Sequence, residues 1–305
     1  MRVGLHALGI GAGARPDVIR SVAVAAEAAG FATLWAGEHV VLVDRPTSRY
    51  PYAADGRIAV PADANWLDPL LSLSFVAAAT TSIGLATGVL LLPEHNPVVA
   101  AKQAATLDVL SAGRLTLGIG IGWSADEFAA LGVPFARRAR RTAEYAAAMR
   151  ALWADDPASF SGEFTRFDSV RVNPKPVRDG RIPIVLGGNS DASLARVAAF
   201  GDGWYGFNLP VSAVAERVEA LAGQCRKRGR DLRELTVAVA LADGTPAALP
   251  ELAALGVTEF VVVAAPPADP ADAAPWVQDL AVQWGVTLPA GAGNAAASRT
   301  SGRST

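Results

Sequence analysis

Apolar residues recur along this chain at two alternating periods. Short continuous or alternating apolar runs cover 3–8, 33–38, 83–92, 115–122, 182–188, 203–207, 236–241 and 260–265. Such runs predict strands. Between them apolar positions return every three or four residues, as at 18–29 and 98–110, which predicts helices. Eight strands, each followed by a helical segment, predict a (β/α)8 TIM barrel of the α/β class.

Helix punctuation agrees with that pattern. Asp68-Pro69, Asn96-Pro97, Thr245-Pro246 and Asp269-Pro270 each place a capping side chain ahead of a proline at the first helical position. Ser124-Ala125-Asp126-Glu127 reads as a capping box. Gly30, Gly113, Gly201 and Gly256 follow last helical turns. Two stretches break the rhythm, 40–67 after the second strand and 131–181 after the fourth. Both are expected at the C-terminal face of the barrel, where barrel enzymes keep their chemistry. One domain is expected over 1–288, and 289–305, rich in Ala, Gly and Ser without periodicity, reads as a disordered tail.

Composition narrows the classes. The chain is 51% hydrophobic and only 18% charged, with a formal net charge of −2. That balance argues against nucleic acid as a partner. No apolar run approaches the ~18 residues of a membrane span, and the amino terminus reads as a strand rather than a signal peptide. With Cys225 as the single cysteine, no intrachain disulfide can form, and a cytoplasmic setting is expected.

Several motifs bear on chemistry. Gly9, Gly11 and Gly13 follow the first strand, but the third glycine falls one residue early for a dinucleotide fingerprint, so they read as a βα loop. Glu38-His39 ends the second strand and puts ionisable groups at the barrel rim, where the histidine serves a proton transfer or bonds a loop carbonyl. Gly88 interrupts the third strand, and Gly118, Gly120 and Gly122 strip one face of the fourth. That bare face suits a tight interior, a flat ring system, or both. Gly187-Gly188-Asn189-Ser190 runs from a buried strand into a capped helix, the physical form of a phosphate site. His6, His39 and His95 lack the pairing of a zinc barrel, so no metal is expected. The run from Arg137 to Arg141 reads as a solvated face, with Arg140 or Arg141 pairing Glu144, in preference to a site that attracts an anionic cofactor tail.

In this order the blocks resemble the bacterial-luciferase-like superfamily, and within it the F420-dependent oxidoreductase branch of actinobacterial sequences. The resemblance lies in 27–39, ending Trp-Ala-Gly-Glu-His, and in Gly-Val-Leu-Leu-Leu-Pro-Glu-His-Asn-Pro at 88–97. It continues through 105–123, 183–188 and Gly-Asp-Gly-Trp at 201–204, and spans nearly all of 1–287. It implies coenzyme F420 as cofactor, with FMN as the alternative, a small-molecule substrate and a homodimer or higher homo-oligomer. By resemblance His39, with Glu38 beside it, works next to the cofactor ring as proton donor/acceptor or anchor. Gly88-Val89 forms a non-proline cis peptide behind the ring, and Trp123 stands at the ring edge or substrate side. Asp126 and Glu127 approach the ribityl chain, although the capping box accounts for Glu127 without a ligand. Gly187, Gly188, Asn189 and Ser190 hold the phosphate. The sugar-phosphate dehydrogenases of this branch carry an aspartate where Glu38 stands and a glutamate where Trp123 stands, so a more apolar substrate is expected. The competing expectations are an FMN-dependent monooxygenase and a flavin-binding barrel without turnover.

Overall fold

A computed structural model describes residues 1–287, so the tail expected at 289–305 lies outside the described residues. Eight parallel strands close a barrel: β1 (Arg2–Leu8), β2 (Thr33–Ala36), β3 (Gly84–Thr87), β4 (Leu115–Ile119), β7 (Ile184–Gly187), β8 (Gly203–Leu209), β9 (Thr236–Leu241) and β10 (Glu259–Val263). The ring shuts where β1 pairs with β10. Between β4 and β7 a hairpin of β5 (Ala158–Ser161) and β6 (Arg166–Val170) forms a separate two-stranded sheet.

Outside the barrel lie α1 (Pro16–Ala29), α2 (Pro69–Ala79), α3 (Pro97–Leu110), α4 (Ala125–Ala130), α5 (Arg138–Ala154), α6 (Asp191–Phe200), α7 (Val211–Arg226), α8 (Leu249–Ala254) and α9 (Ala273–Gln283). The predicted caps act as drawn at two of the long helices. Asp68 accepts from Leu71 N–H, and Asn96 accepts from Val98 and Val99 N–H. Gly30 closes α1 in the left-handed region at φ 93°. Thr245 makes no side-chain cap bond, and Thr245-Pro246 and Asp269-Pro270 open short 3-10 turns. No helix among the described residues is long and apolar enough to cross a membrane.

The barrel interior holds few large side chains. Trp35 and Tyr205 stack at 4.6 Å with an interplanar angle of 14°. Ala86, Val185, Ala238, Ala240 and Val261 fill in around them. Small residues opposite two large rings give the close packing an apolar interior needs. Glu259 receives the Trp35 indole N–H at 2.8 Å and pairs with Arg2 at 2.9 Å.

The structure corrects three expectations. The third and fourth strands end early, at Thr87 and Ile119, because the chain after Thr87 bulges into the barrel mouth. The 131–181 stretch does not stand free over the mouth. Its long helix α5 packs against α3 as a regular barrel helix, and the β5–β6 hairpin lies along α5. Glu144 does not pair with the arginines either. Its carboxylate accepts from the N–H groups of Glu163, Phe164 and Thr165 and fastens the hairpin turn, while Arg137 and Arg140 pair with Glu163.

Candidate active site

The strand ends bring His39, Trp123 and Glu127 together. Glu127 is 1% exposed. Its Oε2 accepts from His39 Nδ1–H at 2.7 Å, and its Oε1 accepts from Val40 and Val41 N–H at 2.7 and 3.2 Å. Trp123 Nε1–H points at His39 Nε2 at 3.4 Å. An indole N–H only donates, so His39 carries its proton on Nδ1 and presents the Nε2 lone pair at the mouth. The expected capping box is half formed. Ser124 caps Glu127 N–H, but the Glu127 side chain reaches back to the second strand instead of to the helix start. Asp126 is brought to the 40–67 loop, accepting from Thr47 N–H and hydroxyl and from Ser48 N–H. These bonds hold its carboxyl down at about 2, the Ser48 N–H foremost.

Gly88-Val89 is a cis peptide, as the resemblance implies. Its side chain accounts for the bare face of β4. A Cβ on Gly120 would stand 2.6 Å from Val89 Cγ2, and one on Gly187 would stand 3.0 Å from Val89 Cγ1. On Gly118 it would stand 1.9 Å from the Thr87 carbonyl oxygen. The glycines therefore seat the bulge, and the bulge forms one wall of the mouth.

Glu38 is buried at 6% exposure and holds the bulge from behind. It accepts from Leu91 N–H at 2.6 Å and from His95 Nε2–H at 3.0 and 3.1 Å. Glu94 is the exception in this neighbourhood. Both its carboxyl oxygens are buried without a hydrogen-bond partner among the described residues. Burial, then the charges of Glu127 and Glu38, push its carboxyl up to about 9 from an ordinary 4.5. Between those two values the folded protein holds a proton that the unfolded chain has lost, so stability falls as pH rises through that window. Glu94→Gln is accordingly expected to raise the thermal midpoint at ~pH 8 and change it little at ~pH 4. Calorimetry at the two pH values checks this, and an equal shift at both would contradict it.

The predicted phosphate turn forms at the start of α6. Gly188 has φ 110°, and a Cβ there would lie 2.7 Å from Ser193 Oγ. Asn189 braces the turn by exchanging bonds with Phe207, and Ser190 Oγ caps Ser193 N–H. Arg138, from the basic run, and Arg196, which the sequence did not single out, join it. Arg196 reaches Ser193 Oγ at 2.9 Å, and the positive charge of Arg138 bears on it. Arg138 bonds the Gly122 carbonyl and stacks on Phe135. Neither guanidinium forms an ion pair among the described residues, and burial foremost lowers both below the ordinary arginine value. Two unneutralised cations beside a helix start make an anion cradle.

The 40–67 loop lines the opposite side with Tyr50, Tyr52 and Trp66. An aromatic arc runs Trp66–His39–Trp123–Tyr50–Tyr52–Phe207, with centroids 4.8 to 5.6 Å apart. No arginine or lysine stacks on these rings among the described residues. His6 lies on the floor with its Nδ1 3.1 Å from the Tyr205 hydroxyl. No group of three potential metal ligands exists among the described residues.

Known proteins place this geometry. An uncharacterized protein of Mycobacterium tuberculosis is 37% identical over 259 residues, covering 85% of this chain and 90% of that one. The monooxygenase RslO1 from Streptomyces bottropensis superposes with TM-score 0.73 at 20% identity, over 93% of this chain and 98% of its own. An F420-dependent secondary alcohol dehydrogenase, solved with an F420-acetone adduct, gives TM-score 0.73 at 16% identity over 95% and 100%. At these identities the two structures share the barrel. The family model described as luciferase-like monooxygenase matches residues 3–279, and the chain belongs to that family.

Proposed function

We propose that this protein transfers a hydride between coenzyme F420 and a small, uncharged organic substrate. The observation that carries the reading is His39, fixed by Glu127 with its Nε2 lone pair presented at the mouth. The residues fit a phosphate-bearing cofactor. Gly188, at φ 110°, lets the turn close on Ser193, whose Oγ a Cβ would meet at 2.7 Å, and Arg196 and Arg138 supply cations without counter-ions among the described residues. Gly187, Gly188, Asn189, Ser190, Arg196 and Arg138 would hold the phosphate, and the Gly88-Val89 bulge would back the ring.

A bound deazaflavin would supply the hydride acceptor or donor. The protein would do the rest. Once a substrate hydroxyl replaces the long Trp123 N–H contact at Nε2, His39 takes its proton, or returns a proton to a carbonyl oxygen in the reverse direction. Glu127 fixes the tautomer and stabilises the imidazolium that forms. The aromatic arc excludes water and favours an apolar body, and nothing in it matches a sugar phosphate.

One observation favours a second reading, an FMN-dependent monooxygenase. Two unpaired guanidinium groups suit the doubly charged phosphate monoester of FMN as well as the phosphodiester of F420. Arg196→Ala tests the cradle in either case. Its side chain bonds only Ser193, so the fold should persist. Cofactor affinity should fall about 10- to 100-fold, the loss expected for one charge-assisted bond. Unchanged affinity by fluorescence titration would remove the cradle from the phosphate.

A further inference from the structure

His6 is the polar group of the mouth that the proposed mechanism does not use. It is 8% exposed, at the end of β1, beneath the ends of β2 and β3. Its Cε1 lies 3.4 Å from where a Cβ on Gly88 would stand, and its Nε2 lies 3.4 Å from that position on Gly37. Its Nδ1 meets the Tyr205 hydroxyl at 3.1 Å. That hydroxyl has no other partner among the described residues, and across this contact either group can donate. The Tyr205 ring is itself held by its stack on Trp35, whose indole N–H is bound by Glu259. With Tyr205 donating, the imidazole proton stands on Nε2, which has no acceptor among the described residues.

A donor that faces the mouth without a protein acceptor is completed by water or by a ligand that displaces it. We propose that His6 is a neutral hydrogen-bond donor whose Nε2–H binds a carbonyl oxygen of the ligand held in the mouth, with Tyr205 as its positioning residue. This rests on reading the mouth as the active site. An ammonium ligand is excluded by the proton on Nε2. A carboxylate is disfavoured because the mouth already holds the acidic groups Glu38 and Glu127, with His95 and His39 paired to them. Burial holds His6 down at about 4, so it stays uncharged through the neutral range. A neutral donor aimed at an oxygen stabilises negative charge developing there without competing for the proton that His39 moves. The carbonyl belongs either to the cofactor ring or to the organic substrate, and both present the same acceptor.

The test uses the full-length protein, His6→Phe, which keeps a ring under Gly37 and Gly88, and Tyr205→Phe. Each is titrated with F420 and with FMN, following affinity and the visible absorption of the bound chromophore. Each loaded protein is then titrated with cyclohexanone and with methylenecyclohexane, which keeps the shape and lacks the acceptor. An affinity loss of about tenfold with a shifted absorption band in His6→Phe assigns the ring carbonyl. An unchanged chromophore, with the preference for cyclohexanone falling about tenfold, assigns the substrate. No change in any of these overturns the proposal. Nitrogen NMR of the His6 ring in the cofactor-free protein is the arm independent of chromophore binding. A neutral Nε2–H ring that changes tautomer population in Tyr205→Phe supports the proposal, and an Nδ1–H or cationic ring at neutral pH overturns it. Binding of neither chromophore by the wild type would remove the hydride-transfer reading, and the NMR result would still decide His6.

Discussion

His39→Ala is expected to lower turnover by about 10²- to 10⁴-fold while leaving cofactor affinity within a few fold. The range is what a positioned acid/base contributes to proton transfer, and His39 has no bond to the phosphate cradle that would tie it to binding. The companion substitution Glu127→Gln separates position from charge. Its amide oxygen can still accept the Nδ1–H, but it no longer stabilises imidazolium. Turnover should fall less than in His39→Ala. Full activity in His39→Ala with any substrate that the wild type converts would remove the acid/base role.

Gly118→Ala is expected to destabilise the protein by about 3 kcal/mol or more, at the upper end of overpacking costs. The new methyl would lie 1.9 Å from the Thr87 carbonyl oxygen, and backbone cannot yield as a flexible side chain can. That backbone is also tied down, because Thr87 Oγ1–H and Leu90 N–H both donate to the Gly118 carbonyl. The bulge would have to move, and chromophore binding should be lost with it. Gly223→Ala is the internal control. Only the mobile end of Arg226 comes within 4 Å of that position in α7. There the same substitution should stabilise by about 0.5–1 kcal/mol through helix propensity. Denaturant midpoints of the two variants check the opposite signs, and equal shifts would contradict the steric account.

The barrel was legible in the sequence because its signals are local. Apolar period and the caps at Asp68, Asn96 and Gly30 each involve residues a few positions apart. The position of His39 followed from its place after a strand. Its partner did not, because Glu127 lies 88 residues away and its local spacing to Ser124 imitates a capping box. Gly118 and Gly120, at and just past the end of β4, were visible as a bare face. What fills that face, Val89 and the Thr87 carbonyl, arrives from the neighbouring strand through the curvature of a closed barrel, which spacing does not encode. Arg138 looked like one of several surface arginines, and Arg196 stood alone on its helix. Only the folded chain brings them together, where the charge of Arg138 on α5 bears on Arg196 on α6. His6 appeared as a failed metal ligand because its partner Tyr205 is 199 residues distant.

Parallel titration of the purified protein with coenzyme F420 and with FMN, read by tryptophan fluorescence, tests the central claim most directly. Trp66, Trp123 and Trp35 line or underlie the mouth, so an occupant there quenches them. The account predicts micromolar binding of F420 with little affinity for FMN. Preference for FMN would move the function to a flavin monooxygenase on the same barrel, and binding of neither would contradict the cofactor assignment while leaving the family membership in place.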